Sequence, residues 1–177
     1  MKISSSRCRT FEYRVTRASP CAVDLAPSEI GVTKPFFDCL LLGVGVQRGD
    51  RVITAAAVEI VKSIVAPTGS VYIVIDGFAH WAEVTEQLGS APEFDVLAGL
   101  ADALDVLAEL TERLEERGEL VHLMPFGWNN VQRVELFDGQ WPRQITDIQL
   151  DSSPAWSSLR RPDRRLTPRV RMPCGRN

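Results

Sequence analysis

The sequence predicts an α/β protein in which helices pack on a mixed β-sheet built from βαβ units. Three consecutive segments lead to this prediction. Residues 36–46 are nearly all apolar, as in a strand buried on both faces. Apolar side chains then recur at helical spacing from Arg51 to Val65, and Pro67-Thr68-Gly69 is placed to end that helix. A second apolar run, residues 71–75, follows, and strand, helix and strand in this order are typical of two parallel strands.

A second helix is predicted after residue 90. Ser90-Ala91-Pro92-Glu93 is a capping box with proline in the first turn, and Gly118 is placed to end the helix. Its buried face is predicted to consist of leucines, namely Leu97, Leu100, Leu104, Leu107 and Leu114. Another face carries an acidic stripe formed by Asp102, Asp105, Glu109, Glu112 and Glu116. We interpret the stripe as a solvated face; the alternative is a surface that repels phosphate or wrong partners.

The two ends of the chain predict further strands. Residues 120–124 are expected to form a third strand, residues 125–130 a turn, and residues 131–137 a strand that returns antiparallel. At the front, residues 2–8 and 11–15 are expected to pair as a hairpin, followed by irregular loop over residues 16–35. We expect one domain over residues 1–150 and an Arg-rich, flexible tail over residues 151–177.

Composition and charge exclude several classes of protein. No apolar run approaches the ~20 residues of a membrane span, and no apolar segment follows the first basic residues as in a signal peptide, so we expect no membrane association and a cytoplasmic location. The four cysteines lack metal-ligand spacing, so no structural metal is expected. The net charge is −3; the tail holds seven Arg and two Asp, which gives +5 and leaves −8 for residues 1–150. A body this acidic is not a general nucleic-acid binder, although the tail could contact phosphates.

Two short segments carry the candidate chemistry. Gly77-Phe78-Ala79-His80-Trp81 directly follows one predicted strand, and Pro125-Phe126-Gly127-Trp128 directly follows another. If both strands are parallel, both segments leave the carboxyl ends of strands, where open α/β sheets place ligands. A histidine at such a position can donate to a carbonyl oxygen or bind an amine.

Together with the long helix between them, these segments resemble the editing domain of archaeal threonyl-tRNA synthetases, a domain that shares its fold with D-aminoacyl-tRNA deacylases. The family shows P-F-A-H after an apolar strand, a long helix ending near E-R-G, and P-F-G-W/Y before an antiparallel strand. Here they occur as Gly77–His80, residues 114–118 and Pro125–Trp128, and Glu12-Tyr13 resembles a further family pair. The resemblance covers residues 1–15 and 37–148, and its specificity comes from the order and spacing of the motifs.

The resemblance implies a free-standing aminoacyl-tRNA hydrolase that clears mischarged Ser-tRNA(Thr) in trans. Threonine and serine differ by one methyl group, worth only ~1–3 kcal/mol in a binding pocket, so a synthetase needs a second site that hydrolyses the wrong product. The ester is activated, and in this family backbone groups and a hydroxyl of the terminal ribose supply much of the site. No cofactor is implied. The residues implied in catalysis are His80 and Asn130, and those implied in substrate binding are Phe78, Ala79, Phe126, Gly127 and Trp128.

Three departures from the family pattern bear on activity. The family usually has a lysine that assists hydrolysis where this chain has Asn130, and an amide brings no positive charge. A histidine and an aspartate of the family's first strand region are replaced by Arg7 and Arg9. A family glutamate has no clear match, and Gln144 lies nearest. Either the substrate has changed, or activity has weakened or been lost.

The alternatives to trans editing are a catalytically silent relative that binds tRNA or a synthetase, and a hydrolase of another aminoacyl ester or small acyl substrate. The partners implied are mischarged tRNA(Thr), threonyl-tRNA synthetase and a second copy of the chain. A homodimer is expected because relatives of this fold are typically dimers and because the strand over residues 131–137 leaves an exposed sheet edge.

Overall fold

The computed structural model describes residues 1–79, 93–137 and 144–148 of the 177-residue chain. Helix α1 spans Thr54–Thr68 and helix α2 spans Glu93–Glu115. The strands are β1 (Lys2–Ala18), β2 (Thr33–Val46), β3 (Tyr72–Ala79), β4 (Val121–Leu123), β5 (Trp128–Leu136) and β6 (Gln144–Asp147). Short 3-10 helices cover Pro27–Glu29 and Asp50–Ile53. The tail over residues 151–177 and the predicted helix cap at Ser90 lie outside the described residues.

The strands form one mixed sheet in the order β4-β3-β2-β1-β5, and β6 pairs with the start of β1. Strand β2 is parallel to β3, and β3 is parallel to β4, whereas β1 is antiparallel to its neighbours β2, β5 and β6. The segments β2–α1–β3 and β3–α2–β4 are therefore two consecutive βαβ units. The predicted α/β class, with helices packed on a mixed sheet, is confirmed.

One face of the sheet is covered by both helices. Its core joins the alternate strand residues Leu40, Leu42, Ile73 and Ile75 to buried side chains of the helices. On α2 the buried residues are Ala103, Val106, Leu107, Leu110 and Leu114. The prediction of a leucine-only face was wrong at Leu97, which is 62% exposed. It missed Ala103, Val106 and Leu110, which lie on the same stripe by the 3.6-residue period.

Strand β1 is one continuous strand of 17 residues, so the predicted hairpin at the front is wrong. The segment between the two expected arms, Arg9-Thr10, has no residue that favours a tight turn. A β-bulge lies there instead: Cys8 pairs with Leu136, and Thr10 pairs with the very next residue of β5, Glu135. Asp38, which faces this position on β2, has a φ of 53°. The extra residue shifts the side-chain alternation of β1 by one.

The sheet is strongly curved, and the face opposite the helices is concave. Gln132 of β5 hydrogen-bonds to Asp76 of β3, and Tyr13 of β1 hydrogen-bonds to His122 of β4. In each pair two other strands intervene, so in a flat sheet the partner strands would lie about 14 Å apart. Asp and Gln side chains cannot span that distance. The sheet must therefore roll so that β3 and β4 approach β1 and β5 across this face.

Several predicted boundaries differ from the structure. Residues 16–18 and 33–35, expected as irregular loop, are the end of β1, which pairs there with β5, and the start of β2, which pairs there with β1. Residues 77–79 are the last residues of β3 rather than a loop, and Trp128–Asn130 open β5 rather than completing a turn. Helix α1 continues through Pro67 to Thr68, with Gly69 in the left-handed conformation after it. A proline in the last turn removes only one N–H group, so the helix ends at the glycine instead. No helix among the described residues is both long and apolar enough to cross a membrane.

Candidate functional site on the concave sheet face

The concave face carries a second, more aromatic core. Phe11, Tyr13, Phe36 and Tyr72 lie on it with ring centroids 6.1–6.3 Å apart between neighbours. Phe11 and Tyr13 are fully buried, whereas Tyr72 is 39% exposed. The loop between β1 and β2 contributes Leu25 to this core. The aromatic face is therefore closed around β1 and open towards β3.

A tyrosine–histidine pair lies within this aromatic core. The Tyr13 hydroxyl is 2.7 Å from Nε2 of His122, and the Phe36 ring lies 4.8 Å from the imidazole. Burial, with a smaller contribution from Lys34, lowers the pKa of His122. Burial, with contributions from Glu29 and Asp76, raises the pKa of Tyr13 to about 12. Both groups are therefore neutral at pH 7, and a hydrogen bond joins the Tyr13 hydroxyl to Nε2 of His122.

A half-buried carboxyl group faces the same space from β3. Asp76 is half-buried, and its Oδ2 accepts a hydrogen bond of 2.9 Å from Nε2 of Gln132. Burial raises the pKa of Asp76, and the hydrogen bond from Gln132 opposes that shift. Because Asp76 also raises the pKa of Tyr13, the carboxyl group and the phenol share one electrostatic environment. Titratable groups held in this way are enriched at functional sites.

The first predicted motif lies at the carboxyl end of β3. Phe78 is on the same side of the strand as Asp76 and is 46% exposed, so it borders the concave face. Ala79 points to the opposite side and packs on the helix-covered core. His80 lies outside the described residues. Of these three residues, Phe78 alone is placed on the concave face.

The second predicted motif is held by the loop that follows β1. The Phe126 side chain is buried in the helix-covered core. Gly127 has a φ of 76°, and a Cβ atom there would lie 2.7 Å from the Cα of Ala22. Trp128 donates from Nε1 to the carbonyl of Val23 at 2.8 Å. The space beside Gly127 is thus occupied by the backbone of Cys21 and Ala22. A role for Phe126, Gly127 and Trp128 in substrate binding stays a prediction.

Asn130 lies on β5 on the concave side. It pairs with Val15 of the aromatic core, and it is two residues before Gln132 on the same face of the strand. Its amide nitrogen is 3.5 Å from the carbonyl oxygen of Trp128. The hydrogen bond between Asp76 and Gln132 therefore connects the strand that leads to His80 with the strand that carries Asn130.

Arg7 and Arg9, which the family resemblance aligns with a histidine and an aspartate, lie at the β-bulge. Arg7 is buried, donates to the carbonyls of Thr68 and Cys39, and forms an ion pair with Asp38. Arg9 is exposed and pairs with Glu135 at 3.4 Å. Arg7 is thus a structural link between β1, β2 and the end of α1. In the part of the chain that the structure describes, no three His, Cys, Asp or Glu side chains are grouped as metal ligands.

Sequence reasoning from the residues did not find the polar groups of the concave face. Tyr13 belongs to a pair that resembles the family, whereas His122, Asp76 and Gln132 lie in no motif of the sequence. The sequence does carry one signal for Asp76, which is the single acidic residue of the β3 segment. Alternate residues of a strand share a face, so Asp76 lies on the same face as Tyr72 and Val74. The pairing with Gln132 depends on sheet curvature, which no local pattern indicates.

Stability should depend on the protonation of His122. Its folded-state pKa lies below the ordinary value of 6.5, so the unfolded chain takes up a proton more readily. The contribution of a neutral His122 is full above pH ~6.5 and is lost as the pH falls through the folded-state pKa. We expect urea unfolding to show a larger loss of unfolding free energy between pH 7 and pH 5 in the wild type than in His122→Gln. The pKa of Asp76 is shifted in the opposite direction, but Asp76 is present in both proteins, so its contribution to the pH dependence cancels in the comparison. Equal losses would contradict this role of His122.

The fold and the site define an α/β protein with a rolled mixed sheet and an aromatic, polar concave face. Among solved structures, the chain is similar to one described as "c-Myc DNA Unwinding Element Binding Protein", with a TM-score of 0.48 and 12% sequence identity. The alignment covers 84% of this chain and 99% of that chain. At this score and identity the likeness carries nothing about function. No protein-family model and no curated protein matches the sequence.

Proposed function

We propose that this protein is an aminoacyl-tRNA deacylase of the threonyl-tRNA synthetase editing type, with a D-aminoacyl-tRNA deacylase-like fold, acting in trans on Ser-tRNA(Thr). The observation that carries the proposal is the order of its motifs on adjacent parallel strands. Residues 77–79 end β3, and Pro125–Trp128 directly follows β4, its parallel neighbour. The motifs on which the resemblance rests thus occupy one end of the sheet, where α/β proteins bind ligands.

The chemistry asked of this site is modest. An aminoacyl ester is activated towards water, so the protein must position the ester and stabilise a developing oxyanion. His80 and the amide of Asn130 are the donors proposed for this task, and Phe78 forms one wall of the pocket. Because serine is smaller than threonine, a tight pocket excludes the correct product by its extra methyl group.

A silent binding module is the second candidate, and the arginines favour it. Arg7 occupies the position of a family histidine, yet its guanidinium is buried in contacts with Thr68, Cys39 and Asp38. Asn130 replaces a cationic side chain. A chain that kept its scaffold while losing these groups would bind tRNA, or a synthetase, without hydrolysing the ester.

A deacylation assay separates the two candidates. Ser-tRNA(Thr) and Thr-tRNA(Thr), labelled in the amino acid, are incubated with the purified protein, and a filter-binding titration with the same tRNAs runs in parallel. The deacylase is expected to release serine faster than threonine without added metal. Binding with no release above the spontaneous background would favour the module, and release of both amino acids at equal rates would contradict selective editing.

We also propose that the protein is a symmetric homodimer that pairs through β5. This strand is an outer edge of the sheet, and Val131, Val134 and Leu136 on it are 56%, 43% and 51% exposed. Light scattering should give twice the chain mass of 19.7 kDa at micromolar concentration. Val131→Lys should shift the protein towards monomer, because a lysine at a sheet edge opposes pairing. Val52→Lys, at an exposed valine in the 3-10 helix before α1, is the matched control. A monomeric wild type would contradict the proposal.

A further inference from the structure

Asp76 is a half-buried carboxyl group whose partner carries no charge. Gln132 Nε2 supplies its one hydrogen bond among the described residues, at 2.9 Å to Oδ2. In the part of the chain that the structure describes, no ion pair involves Asp76; Lys34 pairs with Glu29 at 2.7 Å, and Arg133, the residue after Gln132, pairs with Glu12 at 3.7 Å. The carboxyl group is thus partly withdrawn from water, and no ion pair among the described residues compensates its charge.

Such an arrangement is unfavourable in the free protein. A buried carboxylate costs free energy unless it is paired or hydrogen-bonded, and a neutral amide offsets only part of that cost. The raised pKa of Asp76 has the same cause. A ligand with a positive charge would remove the penalty, so the site is complementary to a cation.

The acceptors around Asp76 suit an ammonium group. Because Gln132 donates from Nε2 to the carboxylate, its Oε1 is left as an acceptor on the same face of the sheet. The second carboxylate oxygen, Oδ1, is a further acceptor. An ammonium group has three N–H donors to satisfy, and two convergent acceptors match it. A metal ion would need more ligands, and the described residues group no three acids, histidines or cysteines.

Asp76 also lies where an aminoacyl group would sit. Phe78, the wall of the proposed pocket, is two residues further along β3 on the same side. Asn130 is two residues before Gln132 on the same side of β5, about 7 Å along the strand. In an α-aminoacyl ester the ammonium group is one carbon atom from the carbonyl that water attacks. A group that holds the ammonium therefore also positions the ester.

We propose that Asp76, oriented by Gln132, binds the α-ammonium group of the substrate and selects α-aminoacyl esters with a free amine over N-acylated ones. The proposal rests on the proposed function, and it names the substrate class of that same site. Asp76 acts here as a binding and specificity-determining residue.

Binding of two stable analogues tests the proposal independently of catalysis. Adenosine carrying serine through a 3′-amide cannot be deacylated as an ester, and it can be prepared with a free or an N-acetylated amine. Calorimetric titration of the wild type should show affinity for the free amine at least about tenfold higher, the size expected of a hydrogen bond to a charged group. In Asp76→Asn the ratio of the two affinities should fall to near one.

Glu135→Gln is the matched control, because it neutralises an exposed carboxylate on β5 that pairs with Arg9. It should keep the wild-type ratio. Equal affinities in the wild type, or a ratio unchanged in a folded Asp76→Asn, would overturn amine recognition while leaving the deacylase proposal in place. If neither analogue binds the wild type, the proposed function fails and the inference fails with it. The wild-type ratio alone decides the matter if Asp76→Asn does not fold.

Discussion

Replacing Asn130 by lysine is expected to raise the rate of Ser-tRNA(Thr) deacylation. A lysine ammonium beside the ester stabilises a developing oxyanion or organises the attacking water. Loss of one preorganised donor of this kind costs on the order of 10²–10³ in rate, and asparagine retains a donor without the charge, so part of that factor should be regained. In the same assay His80→Ala should lower the rate.

Stability should change little in Asn130→Lys, because the amide makes one long contact, 3.5 Å, to the carbonyl of Trp128. Melting temperatures of both variants therefore serve as the control for folding. If the wild type is active and Asn130→Lys has the same rate, the site hydrolyses the ester with asparagine in this position and has no use for the lysine. Inactivity of the wild type and of both variants would mean that catalysis has been lost.

Replacing Gly127 by alanine is expected to lower the unfolding free energy by about 2–4 kcal/mol, the sum of backbone strain and a steric clash. Gly127 has a φ of 76°, and its added Cβ would lie 2.7 Å from the Cys21 carbonyl oxygen and the Ala22 Cα. These are backbone atoms, which cannot move aside as a flexible side chain does. The loop hydrogen bonds from Ser19 to Gly127 and from Val23 to Phe126 should weaken with the displacement.

Gly118 offers a matched control for that substitution. It has a φ of 85°, and a Cβ atom there would meet nothing within 4 Å. Gly118→Ala should therefore cost about 1 kcal/mol, the strain of the left-handed conformation alone. The difference between the two variants in urea unfolding measures the clash with the loop. Equal losses would show that the loop moves freely away from Gly127.

The sequence predicted the βαβ units because their signals are local. The apolar run of β2, the helical spacing of α1 and the apolar run of β3 each occupy a continuous stretch. The hairpin prediction failed because a β-bulge at Arg9 breaks the alternation of β1 as a turn would. A bulge has no fixed residue signature, so the pairing partners decide between the two, and they lie more than 25 residues away in β2 and β5.

Two candidate segments of the site could be singled out for the same reason, and the roles of their residues stay predictions. The motifs at residues 77–80 and 125–128 are local and could be recognised. The concave face is formed by sheet curvature that brings Tyr13 to His122 and Gln132 to Asp76 across intervening strands. Curvature follows from long-range pairing and from bulges, so these contacts could not be derived from the spacing of residues along the chain.

The ratio of first-order deacylation rate constants for Ser-tRNA(Thr) and Thr-tRNA(Thr), measured with protein in excess over each tRNA, tests the central claim most directly. Excess protein removes product release from the rate, so the constants report hydrolysis itself. We predict a rate constant for Ser-tRNA(Thr) above the spontaneous background and a ratio well above one. A seryl rate equal to the background, or a ratio of one, would contradict it.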